Sequence, residues 1–269
     1  MATPESVSRT PKMIARKDGP IGWIVFNNPE RRNAVSTDMW EALAEIVEDY
    51  AADDAIRVIV ARGAGGKAFV SGADISEFEQ KRSTPESTEA YRRISERGGE
   101  ALRLVGKPTI AMIEGFCVGG GVSLALSCDL RIAGESSRFS VPAARLGLGY
   151  EMPGVRKLVD VVGPAFAKEI FYTARLFDAR EALGMGLINR AVPDAELEQY
   201  VEDYARSIAA NAPLTVASIK TIVGEVLKDA EKRDEALCDR VVDECFNSAD
   251  YVEGRRAFME KRQPSFRGR

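Results

Sequence analysis

Two glycine-rich segments have the residue types and spacing that most strongly indicate a binding or catalytic site. The first, SGADI, occupies residues 71–75 after an apolar segment, and the second is the triple glycine 119–121, which precedes the segment VSLAL. Glycines at a strand-to-helix junction leave backbone N–H groups uncovered at the helix N-terminus, where they favour negative charge. Glycine is equally usual in a tight turn or a close helix–strand contact. Spacing alone leaves both interpretations open.

The amino-acid composition excludes several kinds of catalytic site. The chain contains no histidine, so Ser-His-Asp and Cys-His nucleophile systems and histidine metal sites are excluded. The four cysteines form no C-x-x-C pair, which is the spacing typical of thiolate zinc sites. We therefore expect no metal site. We interpret the thiols as buried and free, as in a reducing compartment; they are Cys117, Cys128, Cys238 and Cys245.

Length and charge narrow the possible partners. The 269 residues carry 37 Lys and Arg against 41 Asp and Glu, a formal net charge of −4. This balance argues against nucleic acid or an anionic membrane surface as the main partner. The sequence has no apolar run near the roughly 20 residues of a membrane span, and its start has no hydrophobic signal core. We expect a cytoplasmic protein without membrane association.

The hydrophobic pattern predicts the elements that position the glycine segments. Buried strands are predicted at 21–26, 56–61 and 109–113, and the last of these runs toward the triple glycine. Strands and helices alternate through the first half of the chain, which indicates an α/β fold. The second half is mainly helical, interrupted by a short predicted strand at 187–192.

Five segments, in this order, resemble the crotonase superfamily (enoyl-CoA hydratase/isomerase): NNPERRNAV, AFVSGADISEF, KPTIAMIEGFCVGGGVSLALSCDLRIA, GPAFAKEIFYTARLFDAREALGMGLINRAV and FMEKRQPSF. The resemblance implies an α/β fold, a crotonase-like spiral of ββα units with a C-terminal helical subdomain. It divides the chain into a flexible arm at 1–11, a core at 12–195 and a helical trimerisation region at 196–269. It further implies a homotrimer, commonly stacked as a hexamer.

The same resemblance implies an acyl-CoA thioester as substrate, with coenzyme A as part of that substrate and no separate cofactor. The backbone N–H groups of Ala73 and Gly120 would polarise the thioester carbonyl and stabilise an enolate. Donors fixed in this way lower a barrier by about 3–4 kcal/mol each. By the same motif match, residues that would contact CoA or the acyl group are Arg32, Ala34, Ser71, Asp74, Ile75, Tyr150, Phe258 and Lys261.

Two positions depart from the family pattern. Hydratases of the superfamily use a pair of glutamates, and the matching positions here hold Ser123 and Ala143. Neither side chain can take a proton from water near neutral pH, so the acid/base pair for hydration is missing. One acid remains nearby, Glu151, at a position where some relatives place a catalytic carboxylate.

We expect Glu151 to move protons if its surroundings desolvate it, because burial in an apolar pocket raises the pKa of a carboxyl group. The apolar neighbours that would form this pocket are Leu146, Leu148 and Met152. A solvent-facing turn glutamate, or one paired with Arg145 or Arg156, is the alternative. Tyr150 is a second candidate, as a hydrogen-bond donor to the acyl group.

The sequence therefore favours an acyl-CoA enzyme of the enoyl-CoA hydratase/isomerase type, an isomerase or a lyase of fatty acid metabolism. An acyl-CoA decarboxylase is a close alternative, since loss of CO₂ yields the same enolate and needs little base. A non-catalytic acyl-CoA-binding homologue is a further alternative, because Ser123 and Ala143 replace both hydratase glutamates. The identity of the acyl chain stays open.

Overall fold

The computed structural model describes residues 6–7, 10–74, 77 and 84–269. Its strands are β1 (Ser6–Val7), β2 (Met13–Asp18), β3 (Ile21–Phe26), β4 (Val58–Gly63), β5 (Ala68–Val70), β6 (Thr109–Ile113), β7 (Phe116–Val118), β8 (Leu130–Gly134), β9 (Arg138–Ser140), β10 (Phe177–Asp178) and β11 (Arg190–Val192). Its α-helices are α1 (Thr37–Ala52), α2 (Pro85–Leu104), α3 (Gly120–Ala125), α4 (Ala143–Leu146), α5 (Met152–Thr173), α6 (Ala179–Gly184), α7 (Leu197–Ala209), α8 (Pro213–Val226), α9 (Glu235–Phe246) and α10 (Ala249–Glu260).

The strands form two sheets. The larger sheet has the order β1-β2-β3-β4-β6-β8-β11, antiparallel from β1 to β3 and parallel from β3 to β11. The smaller sheet has the order β10-β9-β7-β5, in which β5, β7 and β9 are parallel and β10 is antiparallel to β9.

The chain passes between the two sheets in a repeated order. The strands β4, β6 and β8 belong to the larger sheet, and each is followed by a strand of the smaller sheet, namely β5, β7 and β9. A helix follows each pair of strands: α2, α3 and α4 in turn. Three ββα units thus wind as a spiral, and the predicted fold class is confirmed.

Alternating side chains bury the larger sheet on both faces. On β4, Val58 and Val60 pack on one face, whereas Ile59 and Ala61 pack on the other. The first face is covered by one side of α7, through Leu197, Val201, Ala205 and Ala209. Because α7 is part of the core, the helical region predicted from residue 196 contributes its first helix to the sheet packing.

Other sequence predictions need correction. Part of the arm predicted at 1–11 is the strand β1, which pairs with β2. The strand predicted at 56–61 lies two residues later, as β4, and the strand predicted at 187–192 is shortened to its last three residues, as β11. All four cysteines are free, but burial divides them: Cys117 and Cys128 are buried, and Cys238 and Cys245 are half-buried. Across the described ranges, no helix is both long and apolar enough to cross a bilayer.

Candidate active site

The triple glycine forms the junction between β7 and α3, as the sequence predicts. Gly119 has φ +55° and ψ −114°, a conformation that side-chain-bearing residues rarely adopt, and its N–H donates to the Ser140 carbonyl at 2.8 Å. Gly120 is the first residue of α3. The N–H groups of a helix's first turn have no acceptor within the helix, so the Gly120 amide is available to another group.

Ala73 lies beside this helix end, in an isolated parallel bridge with Val35. Val35 donates to the Gly72 carbonyl at 2.8 Å, and Asp74 donates to the Val35 carbonyl at 3.0 Å. In a parallel bridge these bonds flank the central residue, whose own N–H points away from the partner strand. The Ala73 N–H therefore faces away from Val35.

The two amides border one small space. A Cβ placed on Gly120 would lie 3.6 Å from the Ala73 nitrogen, and a Cβ placed on Gly72 would lie 3.7 Å from the Gly120 nitrogen. Among the backbone hydrogen bonds outside helices and strands in the described residues, none has either nitrogen as donor. Two donors so placed could stabilise an oxygen that develops negative charge.

A close contact fixes the distance between the two segments. A Cβ on Gly121 would overlap the Val70 carbonyl oxygen, so only glycine lets α3 approach the end of β5 this closely. Val70 ends the strand that leads to Gly72 and Ala73. The third glycine thus joins the first turn of α3 to the segment that carries the other amide.

Gly121→Ala is therefore expected to destabilise the fold by about 3 kcal/mol, because the methyl group must displace backbone rather than a mobile side chain. Urea unfolding measures this as a lower midpoint. Gly224→Ala is the control, since Gly224 lies in α8 and an added Cβ there would meet nothing within 4 Å. An unchanged midpoint for Gly121→Ala would show that the helix and strand are not tightly packed.

A buried asparagine holds the turn at residues 28–34, which leads to the Val35 bridge with Ala73. Asn33 has φ +56°, and its side-chain amide donates to the carbonyls of Ala64 at 3.0 Å and Ala68 at 2.7 Å. Its side-chain oxygen accepts from the Asn28 N–H at 2.9 Å. This residue was not predicted from the sequence. The signal was its place in NNPERRNAV, because asparagine tolerates positive φ better than most residues.

Asn33 supports the residues that the resemblance assigns to CoA. Arg32 is exposed, with φ +50°, and its guanidinium lies 5.1 Å from the centre of the Phe116 ring. Ala34 is buried, and its N–H donates to the Arg31 carbonyl at 3.0 Å.

Two more of the assigned residues brace this turn. The Ser71 N–H donates to the Arg32 carbonyl at 3.1 Å, and its hydroxyl donates to the Arg31 carbonyl at 3.3 Å. Asp74 is buried, and its carboxylate pairs with Arg31 at 2.9 Å. The Asp74 side chain thus has a structural contact that suits a turn residue better than a base. Ile75 lies outside the described residues.

Ser123 and Tyr150 lie near each other where the resemblance places the first hydratase glutamate. Ser123 is half-buried on α3, one turn beyond Gly120. Tyr150 packs edge-to-face on Phe171 with ring centres 4.9 Å apart. Burial raises the pKa of Tyr150, and the neighbouring Ser123 side chain offsets part of that rise. The phenol therefore stays protonated at neutral pH and can donate a hydrogen bond.

The position of the second hydratase glutamate is buried and apolar. Ala143 is the first residue of α4 and is 5% exposed. Glu151 caps the N-terminus of α5, and its exposed side chain makes no capping bond.

The apolar pocket predicted around Glu151 is not formed within the single chain, because Leu146 is 69%, Leu148 52% and Met152 78% exposed. The reason is local: α4 ends in a left-handed Gly147, with φ +62°, and the following segment runs along the surface. Arg156, a predicted alternative partner, lies 3.7 Å from Asp160 and donates to the Leu227 carbonyl at 2.8 Å.

The two C-terminal residues assigned to CoA lie at the end of α10. Phe258 is 83% exposed, and Lys261 ends the helix with φ +51°. Among the described residues, neither has a hydrogen bond to the 28–34 turn or to Ala73 and Gly120. The same part of the chain contains no group of three His, Cys, Asp or Glu side chains that could hold a metal ion.

Comparison with known proteins agrees with this architecture. The family model described as Enoyl-CoA hydratase/isomerase matches residues 16–269. The short-chain-enoyl-CoA hydratase of Clostridium acetobutylicum is 32% identical over 254 residues, covering 93% of this chain and 95% of the relative.

Two crystal structures show the same fold. One is an enoyl-CoA hydratase/carnithine racemase from Magnetospirillum magneticum, with TM-score 0.91, 37% identity and 97% of each chain covered. The other is a putative enoyl-CoA hydratase/isomerase family protein from Hyphomonas neptunium, with TM-score 0.91, 38% identity and coverage of 98% and 100%. The chain belongs to the enoyl-CoA hydratase/isomerase family.

Proposed function

We propose that this protein is an acyl-CoA enzyme that holds the thioester oxygen between the backbone amides of Ala73 and Gly120 and stabilises an enolate. The observation that carries the proposal is the convergence of two backbone donors on one space, with a Cβ of Gly120 falling 3.6 Å from the Ala73 nitrogen. Charge that develops on the oxygen during reaction strengthens both hydrogen bonds, which lowers the barrier. Backbone donors do not titrate, so a chain without histidine can use them.

The CoA part of the substrate would lie against the 28–34 turn. Arg32 is exposed there, and a guanidinium binds phosphate well because its donors form a planar fork. The turn is rigid, because Asn33 and the Arg31–Asp74 pair tie it to neighbouring segments. Phe258 and Lys261 would contact CoA from a neighbouring subunit, which fits their exposure in the single chain.

A homotrimer or hexamer is the proposed assembly. Large apolar side chains are exposed along α8 and α10; they are Ile219, Val223, Val226, Val252, Phe258 and Met259. Contact between copies would bury such a surface. A neighbouring subunit could also desolvate the segment around Glu151, whose apolar neighbours are exposed in the single chain.

Proton transfer is assigned to Glu151, with Tyr150 as a hydrogen-bond donor to the acyl group. Ser123 and Ala143 cannot form the two-glutamate acid/base pair of a hydratase. The proposed reaction is therefore an isomerase or lyase step through the enolate. Decarboxylation is the close variant, because the departing CO₂ leaves its electron pair in the enolate and a proton then completes the product.

A second function is favoured by one observation. Both hydratase positions lack carboxylates, and the remaining acid is exposed in the single chain. An acyl-CoA-binding protein without catalysis would have these features.

A panel of enoyl-, dienoyl- and malonyl-CoA thioesters in deuterated water separates these possibilities. We expect mass spectrometry to show turnover of at least one thioester, with deuterium entering the α or γ carbon. Loss of CO₂ from a malonyl-type substrate would identify the decarboxylase variant. Tight binding of the panel without turnover or deuterium uptake would contradict the enzyme and support the binding protein.

A further inference from the structure

The C-terminal end of helix α3 is held by a buried arginine. The Arg131 guanidinium donates to the carbonyls of Cys128 at 2.8 Å, Leu187 at 2.8 Å and Ala125 at 3.4 Å. Ala125 is the last residue of α3, and Cys128 follows in the next turn. Arg131 is 7% exposed. Its side chain therefore binds helix-end carbonyls away from solvent.

These contacts suit the electrostatics of a short helix. The last carbonyls of a helix lack partners within it and carry partial negative charge, which a nearby cation stabilises. Within the described residues no carboxylate forms a salt bridge with Arg131, and the adjacent Asp129 instead pairs with Lys220 at 2.9 Å. The guanidinium is thus committed to the backbone.

Arg131 is itself fixed in β8. Two hydrogen bonds join its backbone to Asn189. The Arg131 N–H donates to the Asn189 side-chain oxygen at 2.8 Å, and the Asn189 N–H donates to the Arg131 carbonyl at 2.8 Å. The anchor of α3 therefore belongs to the larger sheet rather than to a surface loop.

The opposite end of α3 carries the Gly120 amide. The helix is only six residues long, so a displacement at Ala125 moves Gly120 as part of the same rigid unit. At that end the helix touches β5 through Gly121 and Val70. A glycine contact at its start and an arginine at its end thus add to the core packing of Val122 and Leu124 in holding the helix.

We propose that Arg131 is a positioning residue for the Ala73–Gly120 amide pair, acting through helix α3. This inference rests on the proposed function, since it concerns where one of the two donors points. An error of about 1 Å in such a donor costs on the order of 10²-fold in rate. Lysine would keep the charge but could not form the same fork of bonds to several carbonyls.

The test compares binding of two thioesters of equal chain length. Acetoacetyl-CoA can ionise to an enolate with charge on the thioester oxygen, whereas butanoyl-CoA has no β-keto group to favour ionisation. We expect the wild-type protein to bind acetoacetyl-CoA more tightly at alkaline pH, with a new ultraviolet absorbance from the enolate. Arg131→Lys should reduce this preference by about tenfold or more, while butanoyl-CoA binding changes little.

Arg57→Lys is the matched control. Arg57 also bridges backbone carbonyls, those of Ala209 at 3.1 Å and Phe266 at 2.6 Å. It makes no hydrogen bond to α3 within the described residues. Its variant should keep the wild-type preference. Equal weakening of both thioesters by Arg131→Lys would show a general structural role and overturn the inference.

Ser127→Ala provides a second variant in case Arg131→Lys does not fold. The Ser127 hydroxyl donates to the Ser123 carbonyl at 3.2 Å, at the same end of α3. Because serine is uncharged, replacing it does not disturb a buried charge. We expect it to reduce the acetoacetyl-CoA preference several-fold, and an unchanged preference would overturn the inference. A wild-type protein without any preference would contradict the amide pair itself, which distinguishes failure of the proposed function from failure of the positioning role.

Discussion

Gly120→Ala is expected to lower kcat/KM by about 10²–10³-fold and to leave the fold intact. The added methyl group would lie 3.6 Å from the Ala73 nitrogen and 3.6 Å from the Gly72 Cα, which are ordinary van der Waals distances. It would nevertheless occupy space between the two amides that the thioester oxygen needs. Steady-state kinetics on whichever thioester the panel identifies measures the loss, and urea unfolding measures stability.

Two other glycine variants make this result specific to Gly120. Gly224→Ala, in α8, should keep activity and lose no stability, because its Cβ meets nothing within 4 Å and alanine favours a helix more than glycine does. Gly121→Ala should instead lose stability, because its Cβ overlaps the Val70 carbonyl. Full activity in a folded Gly120→Ala protein would show that substrate does not use this space.

Glu151→Gln is expected to reduce proton exchange at the acyl α or γ carbon by about 10²–10⁴-fold. The substitution keeps size and polarity but removes the group that would take the proton. Substrate binding should change little, because the amide pair and the 28–34 turn are untouched. Deuterium uptake, followed by mass spectrometry, measures the rate, and the dissociation constant of the same thioester measures binding.

Glu196→Gln is the matched control for Glu151. Glu196 is also an exposed glutamate at the N-cap of a helix, α7, without a side-chain capping bond. It lies on a helix that packs against the larger sheet, so its variant should exchange protons at the wild-type rate. Equal exchange in wild type and Glu151→Gln would remove Glu151 from the mechanism.

Most of the fold could be predicted because strand patterns and motifs are local. The buried run at 21–26 and the strand at 109–113 match β3 and β6. The role of α7 could not be predicted, because an amphipathic helix packs equally well on another helix or on a sheet. Only the three-dimensional structure shows that Val201 and Ala205 face the larger sheet.

The strand-to-helix junction of the candidate site was predictable from the triple glycine, which lies between β7 and α3. The roles of Asn33 and Arg131 were not, because their side chains bind carbonyls distant in the sequence, such as those of Ala68 and Leu187. The choice between a desolvated and a solvent-facing Glu151 could not be made from the sequence, and in the single chain the neighbouring apolar residues Leu146, Leu148 and Met152 are exposed.

A crystal structure with a bound non-reactive acyl-CoA would show where the thioester oxygen lies. We expect this oxygen between the Ala73 and Gly120 nitrogens, about 2.7–3.1 Å from each. A thioester oxygen bound elsewhere, with the Ala73 and Gly120 amides bonded to other groups or to solvent, would show that the two amides are not an oxyanion hole.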